Sequence, residues 1–174
     1  MALSRKKVLV RPLAGPTLAG YLPSSAFVRR ADPLQLDLLD LTSRTLSLPL
    51  ADIKHIAFVR DFNLDDLIDP ERLFRRAFLA RPRSEGLWLR LTFSTGDHLE
   101  GLGPLDLSLL DGLLEDAGLF VTPPTTSGMI DARTNTQRLF IPRTAIAALQ
   151  ILAVVTSPSR PKTAAKRDPE PTLF

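Results

Sequence analysis

KVLVRPLAGPTLAGY (residues 7–21) is answered further along the chain by WLRLTFSTGDHLEGL (residues 88–102), and this echo decides the fold. Gly15 and Gly20 fall on Gly96 and Gly101, 81 positions on, and Leu18 falls on Leu99. A second pair follows: LPLADIKHIAFV (48–59) against IPRTAIAALQIL (141–152). Here Pro49, Ile53 and Ile56 meet Pro142, Ile146 and Leu149 at an offset of 93. The offset grows by 12, so the second copy carries an insertion between its matched ends. Self-similarity at a fixed spacing is the mark of a duplicated structural unit. Each unit has only about sixty residues, a size at which core burial is marginal, so the two are expected to pack together.

Within each copy the apolar residues alternate. Val8 and Val10, and Leu89, Leu91 and Phe93, are separated by more polar neighbours, the period of a strand with one buried face. Gly15 and Gly96 supply the positive φ of a tight hairpin. Gly20 and Gly101 fall inside the next strand, where a missing side chain points to a bend or a close backbone approach. LQLDLLD (34–40) and RTLSLP (44–49) read as a second hairpin, ADI (51–53) as a brief turn, and HIAFV (55–59) as a closing strand. Five short strands joined by tight turns describe a small barrel.

The second copy departs from this order twice. PLDLSLLDGLLEDAG (104–118) carries apolar residues at helical spacing, with Gly118 expected as its C-terminal cap. A long hydroxyl-rich loop, residues 122–137, separates LFV (119–121) from RLFIP (138–142). AIAALQILAVV (145–155) is ambiguous: alanine favours helix, whereas its match to residues 52–59 favours a turn and a strand, and the match is given the greater weight. Between the copies, Asp69 and Pro70 open an expected linker helix, ERLFRRAFLA (71–80), with Leu73, Phe74, Ala77 and Phe78 on its apolar stripe. The tail from residue 157 is rich in proline and charge and is expected to be disordered.

Composition limits the function classes. A hydrophobic content of 44 % suits a folded domain. The absence of cysteine excludes disulfides and thiolate metal sites and fits a reducing cytoplasm. The apolar run behind the basic first residues ends at Arg11, too soon for a signal peptide. The greasiest stretch, 145–155, is shorter than the roughly 20 residues that span a bilayer. The expectation is a soluble cytoplasmic protein without a membrane partner. A net charge of +3 permits nucleic-acid binding without demanding it.

A glycine-centred hairpin with G-x4-G, then a longer hairpin and a short turn into a last strand, resembles the Sm-like (LSm) barrel, a five-stranded SH3-like fold. KHIAFVRDF (54–62), FRRAFLARPRSEGLWLRLTFSTGDHLEG (74–101) and TNTQRLFIPRTAIAALQIL (134–152) are similar to an uncharacterised bacterial family of tandem Sm-like domains. The resemblance implies a mainly β fold with short helices: two tandem Sm-like five-stranded barrels joined by a linker helix. The units would be residues 1–62, a helical linker 63–85, a second barrel 86–156 with helical and loop insertions, and the tail 157–174. RNA-binding Sm proteins carry an aspartate/asparagine loop after the second strand and an arginine–glycine pair before the last. PSSAFVRR (23–30) and PLADIK (49–54) stand there in the first copy, the helical insertion and PRTAIA (142–147) in the second, so the RNA-contacting pattern is not kept.

The residues that could carry chemistry are few. His55 and His98 fall on different strands of different copies and lack the spacing of a zinc site. Asp61, Asp65, Asp66 and Asp69 lack the glycine and terminal glutamate of a calcium loop and read as a solvated loop with a helix cap. No nucleophile elbow, P-loop or G-x-G-x-x-G is present; Arg29 and Arg30 do not give the R-x3-R spacing of cyclic-dinucleotide barrels, and no D/N-x-S-x2-G follows them. No enzyme, cofactor or metal is expected. Arg72, Arg75, Arg76, Arg81 and Arg83 form the best basic patch, able to neutralise phosphates or to serve as the solvated side of the linker helix. The expected function is a non-enzymatic binding or scaffold module, through protein–protein interaction or self-association at open barrel edges. The alternative is an RNA- or DNA-binding Sm-like protein using those arginines.

Overall fold

Apolar alternation and glycine turns yield eleven strands in the computed structural model, which describes residues 4–23, 26–62, 75–106, 108–114, 117–124 and 135–156. The first six are β1 (Arg5–Pro12), β2 (Leu18–Pro23), β3 (Val28–Arg29), β4 (Gln35–Asp40), β5 (Thr45–Pro49) and β6 (Ile53–Val59). After them come β7 (Gly86–Phe93), β8 (His98–Gly103), α1 (Ser108–Leu114), β9 (Gly118–Val121), β10 (Thr136–Pro142) and β11 (Ile146–Val155). One turn of 3-10 helix precedes β6 (Leu50–Asp52) and another precedes β11 (Arg143–Ala145).

The pairings of the two halves coincide at the sequence offsets of 81 and 93, with β4 and residues 118–122 matched at a third offset of 83. Val10 lies opposite Leu18 and Leu91 opposite Leu99. Val10 also faces Ile56, as Leu91 faces Leu149. Gln35 pairs with Pro49 and Gly118 with Pro142. Tyr21 faces Leu39, and the isolated bridge Leu102–Thr122 takes the matching place. Even the corner bond recurs: Leu13 N donates to Asp52 O at 2.8 Å, and Ser94 N to Ala145 O at 2.9 Å. Gly15 and Gly96 have φ of 96° and 89°, the left-handed values expected of the hairpin turn. A Cβ on Gly20 would lie 2.5 Å from Leu39 O, and one on Gly101 3.0 Å from the Val121 side chain, so both glycines permit a close approach of strands.

The sheets themselves differ from the expectation of two closed five-stranded barrels: among the described residues they are open. One sheet runs β3–β4–β2–β1–β6–β10–β9, with β5 also on β4, and a second runs β11–β7–β8. β2 and β3 lie along the same side of β4, since Leu39 and Asp40 pair with β2 and Gln35 and Leu36 with β3. The last strand of the first half, β6, pairs with β10 of the second. The two halves therefore share one sheet.

The core follows from that sharing. One cluster gathers Val8, Val10, Leu22, Phe27, Leu36, Leu38, Leu50, Ile53, Ile56 and Phe58 of the first half, together with Phe140 of the second. The other gathers second-half residues, among them Leu89, Leu91, Phe93, Leu139 and Ile141, together with Leu9, Ala57 and Val59 of the first. β1 was expected to bury one face only. It buries both, because the second half covers Leu9.

Other expectations are corrected or confirmed. Residues 145–155 form strand rather than helix from Ile146 onward, since pairing along β7 outweighs the helix propensity of alanine. The helix of the second half is the shorter α1, and Gly118 does not cap it but begins β9, where a Cβ would collide with Ile141 O. The linker helix 71–80 is not formed in its described part: residues 75–80 are bends and irregular chain, held by bonds to β8. Residues 71–74, the loop residues 125–134 and the tail 157–174 lie outside the described residues.

Candidate functional site

The sheet has a junction and two open ends. At the junction β10 runs antiparallel to β6, with Arg138, Leu139 and Phe140 opposite Phe58, Ala57 and Ile56. Phe140 reaches into the first core, where its ring meets Phe27 at 5.1 Å and Phe120 at 5.0 Å between centroids. The Arg138 guanidinium lies 4.9 Å from the Phe58 ring centre and 4.4 Å from that of Phe120, a cation held over two aromatic faces. Asn135 extends the pairing past the bulge. Its Oδ1 accepts from the backbone N–H of Arg60 (3.1 Å) and Asp61 (2.8 Å), and its Nδ2 donates to Asp61 O (2.6 Å).

The bridge from Leu102 to Thr122 links β8 to the chain just after β9, so the strands form one path that starts at β5 and finishes at β11. β5 pairs only with β4, and β11 only with β7, among the described residues. β11 is ten residues long, contains neither charge nor proline, and exposes Ile151 (56 %) and Val154 (53 %). An edge of that kind lacks the usual protections against pairing with another chain. Arg81 Nη2 donates to Val154 O at 3.5 Å.

Two charged contacts hold the halves and the linker in place. Lys54 Nζ donates to Asp97 Oδ2 at 2.7 Å and lies 5.0 Å from the Phe93 ring centre, tying the start of β6 to the β7–β8 turn. Glu100 is 6 % exposed. One of its oxygens accepts from Arg90 Nη2 (2.9 Å), the other from Trp88 Nε1 and the Phe78 backbone N–H (both 3.1 Å). Its own N–H donates to Arg76 O at 2.7 Å, so residues 76–78 run along β8 instead of forming intrahelical bonds. Burial pushes both carboxyls up, but the bonds from Lys54 and Thr95 to Asp97, and from Arg90, Phe78 and Trp88 to Glu100, outweigh it. Both lie below the ordinary carboxylate range.

The arginines expected as a patch do not line one helix face. Arg72 is outside the described residues. Arg75 is half-buried, and its N–H donates to Pro124 O at 3.3 Å. Arg76 and Arg83 are exposed, and Arg81 reaches β11. His55, buried in β6, and His98, exposed in β8, share a small cavity with Lys54, Arg76, Phe93, Asp97 and Leu99; their separation in sequence concealed this. The described residues contain no group of three or more His, Cys, Asp or Glu able to hold a metal. Asp61 pairs with Lys7 at 2.9 Å, whereas Asp65, Asp66 and Asp69 lie outside the described residues. A shallow groove of about 440 Å³ opens between the two 3-10 turns, lined by Pro33, Leu34, Leu50, Ala51, Arg143, Thr144 and Ile146. No described helix is long and apolar enough to cross a membrane.

The junction, Glu100 and Asn135 left no signal in the sequence. The residue types are ordinary, and their roles depend on which strands become neighbours. The sequence profile of a family of unknown function, DUF6982, matches residues 4–153, and the chain belongs to that family. No match was found among curated proteins or among solved structures.

Proposed function

We propose that this DUF6982 chain is a non-enzymatic binding or scaffold module, built as two tandem Sm-like units, that works through protein–protein contact or self-association at its open strand edges. The units follow the expected division, 1–62 and 86–156, joined by residues 63–85. The coincident pairings at offsets of 81 and 93 support that reading. The observation that carries the function is β11: a long, uncharged strand with one edge unpaired among the described residues and with Ile151 and Val154 exposed. Backbone N–H and C=O groups on such an edge provide affinity, and alternate side chains provide selectivity.

The test is co-purification of the tagged full-length chain from its native cell, beside Ile151→Lys. A protein, the chain itself included, that is recovered with the wild type and lost with the variant is the expected result. Identical recoveries from both would overturn the reading. The alternative, RNA or DNA binding in the cytoplasm, draws on the net charge of +3 and on the exposed Arg76, Arg81 and Arg83. It requires a mobility shift at low salt that weakens linearly with log salt; no shift at low salt ends it.

A further inference from the structure

We infer that the partner at the β11 edge is a second copy of this chain, docked head to tail, with β11 of one copy antiparallel to β5 of the next. The inference rests on the edge-binding reading above and makes it specific. The molecule already contains one such junction, β10 on β6. At the shared offset of 93, β10 corresponds to β5 and β6 to β11: Pro142 matches Pro49, and Leu149 matches Ile56. The two strands that meet inside the chain thus have counterparts at the two ends of the strand path. A second copy supplies to β11 the kind of strand that β10 supplies to β6.

Burial agrees with this assignment. Every residue of β6 is buried, while the corresponding stretch of β11 is largely exposed: Phe58 is 2 % exposed and its counterpart Ile151 56 %. The counterparts β10 and β5 behave alike. Leu139 and Phe140 of β10 are buried, whereas Leu46 and Ser47 of β5 are half-buried and exposed. The internal register carries over residue by residue. Arg138–Phe58, Leu139–Ala57 and Phe140–Ile56 become Thr45–Ile151, Leu46–Gln150 and Ser47–Leu149 between copies. Thr45 against Ile151 places two β-branched residues opposite each other, a favourable cross-strand pair. The contact joins two different surfaces, so it propagates into a closed ring or an open filament rather than stopping at a two-fold dimer.

The chain has no cysteine, which gives a test with no background. Thr45→Cys and Ile151→Cys are made singly in the full chain, then mixed and oxidised. The expected product is a covalent dimer from the mixture and from neither variant alone, while the double variant gives a ladder of higher species. Light scattering over a concentration series is expected to show wild-type mass above that of one chain, and Ile151→Lys is expected to raise the dissociation constant about tenfold or more. A wild-type circular dichroism spectrum and a cooperative melt would establish that this variant still folds. A wild type that stays monomeric at all concentrations, or single-cysteine variants that each crosslink alone as readily as the mixture does, overturns the second-copy inference. If that monomer still loses a different co-purifying protein on Ile151→Lys, the edge-binding reading survives the failure; if recovery is unaffected, both fall.

Discussion

β6 and β11 occupy the same register against β1 and β7, yet one is the most buried strand of the molecule and the other an exposed edge. Composition does not separate them: IKHIAFV even carries a lysine and a histidine, and IAALQILAVV carries no charge. The difference is the neighbour. β6 has β10 on its second edge, with the Arg138 guanidinium over the Phe58 ring and Phe140 in the same core cluster as Ile56 and Phe58. β11 has no such strand among the described residues. Burial here is a property of the pairing path rather than of the strand's own sequence. A polar residue in a strand is therefore tolerable or ruinous according to which half it belongs to.

The largest effect should come from placing the same charge at corresponding sites. Ala57→Lys buries an unpaired ammonium at a position that is 0 % exposed. It should cost more than about 4 kcal/mol or prevent folding. Gln150→Lys, its counterpart on exposed β11, should change monomer stability by no more than about 0.5 kcal/mol; urea titration followed by circular dichroism compares the two. Equal costs would mean that β11 is as enclosed as β6. Next in size, Phe140→Ala removes the second half's ring from the first half's core, at about 3–5 kcal/mol, while Ser47→Ala in β5 should be near neutral. Because the core is shared, unfolding of the Phe140 variant should remain one transition for Trp88 fluorescence and circular dichroism alike. Two separated transitions would show halves that fold independently.

Smaller effects probe the charged contacts. Glu100→Gln keeps the shape but weakens the acceptor shared by Arg90, Trp88 and Phe78, and should cost about 1–2 kcal/mol. Trp88 is the only tryptophan, so its emission reports release of the indole N–H directly; an unchanged spectrum and stability would remove Glu100 from the account. The gentlest probe is acid. Asp97 and Glu100 are held below their ordinary values in the fold, so the unfolded chain takes up their protons at a higher pH than the folded one. Their stabilisation is fully present above about pH 5, beyond the ordinary carboxylate range, and is lost as pH falls through that range into the depressed values. Urea midpoints should drop across that window, and Asp97→Asn should flatten the drop. A slope unaffected by that substitution would place the proton uptake elsewhere.

How far the sequence could be read differs sharply between local and distant features. The hairpin at Gly15 and Gly96, the close approach at Gly20 and Gly101, the turns before β6 and β11, and the strand character of residues 146–155 were all legible, since each rests on a few neighbouring residues or on the repeat itself. The linker was misread. Asp69–Pro70 and an apolar stripe are real helix signals, but the chain at 75–80 exchanges intrahelical bonds for bonds to β8 through Arg76 O and the Phe78 N–H. The expected helix face of Arg75 and Arg76 is absent for the same reason, because residues 75–80 are not helical. The meeting of His55 and His98 beside Lys54 and Asp97 was invisible, since it brings β6 to the β7–β8 turn across the shared sheet.

By itself the sequence determined the strands, their turns and the doubling of the pattern, because alternation, glycine φ and short-range pairing are encoded within a few residues of one another. Only the tertiary structure decided that the halves share a sheet, that β10 rather than β5 covers β6, and that β11 is left as an edge. Backbone N–H and C=O groups pair alike with any strand of suitable direction, so partner choice is settled by which side chains find a common core, and that choice is made across the whole chain.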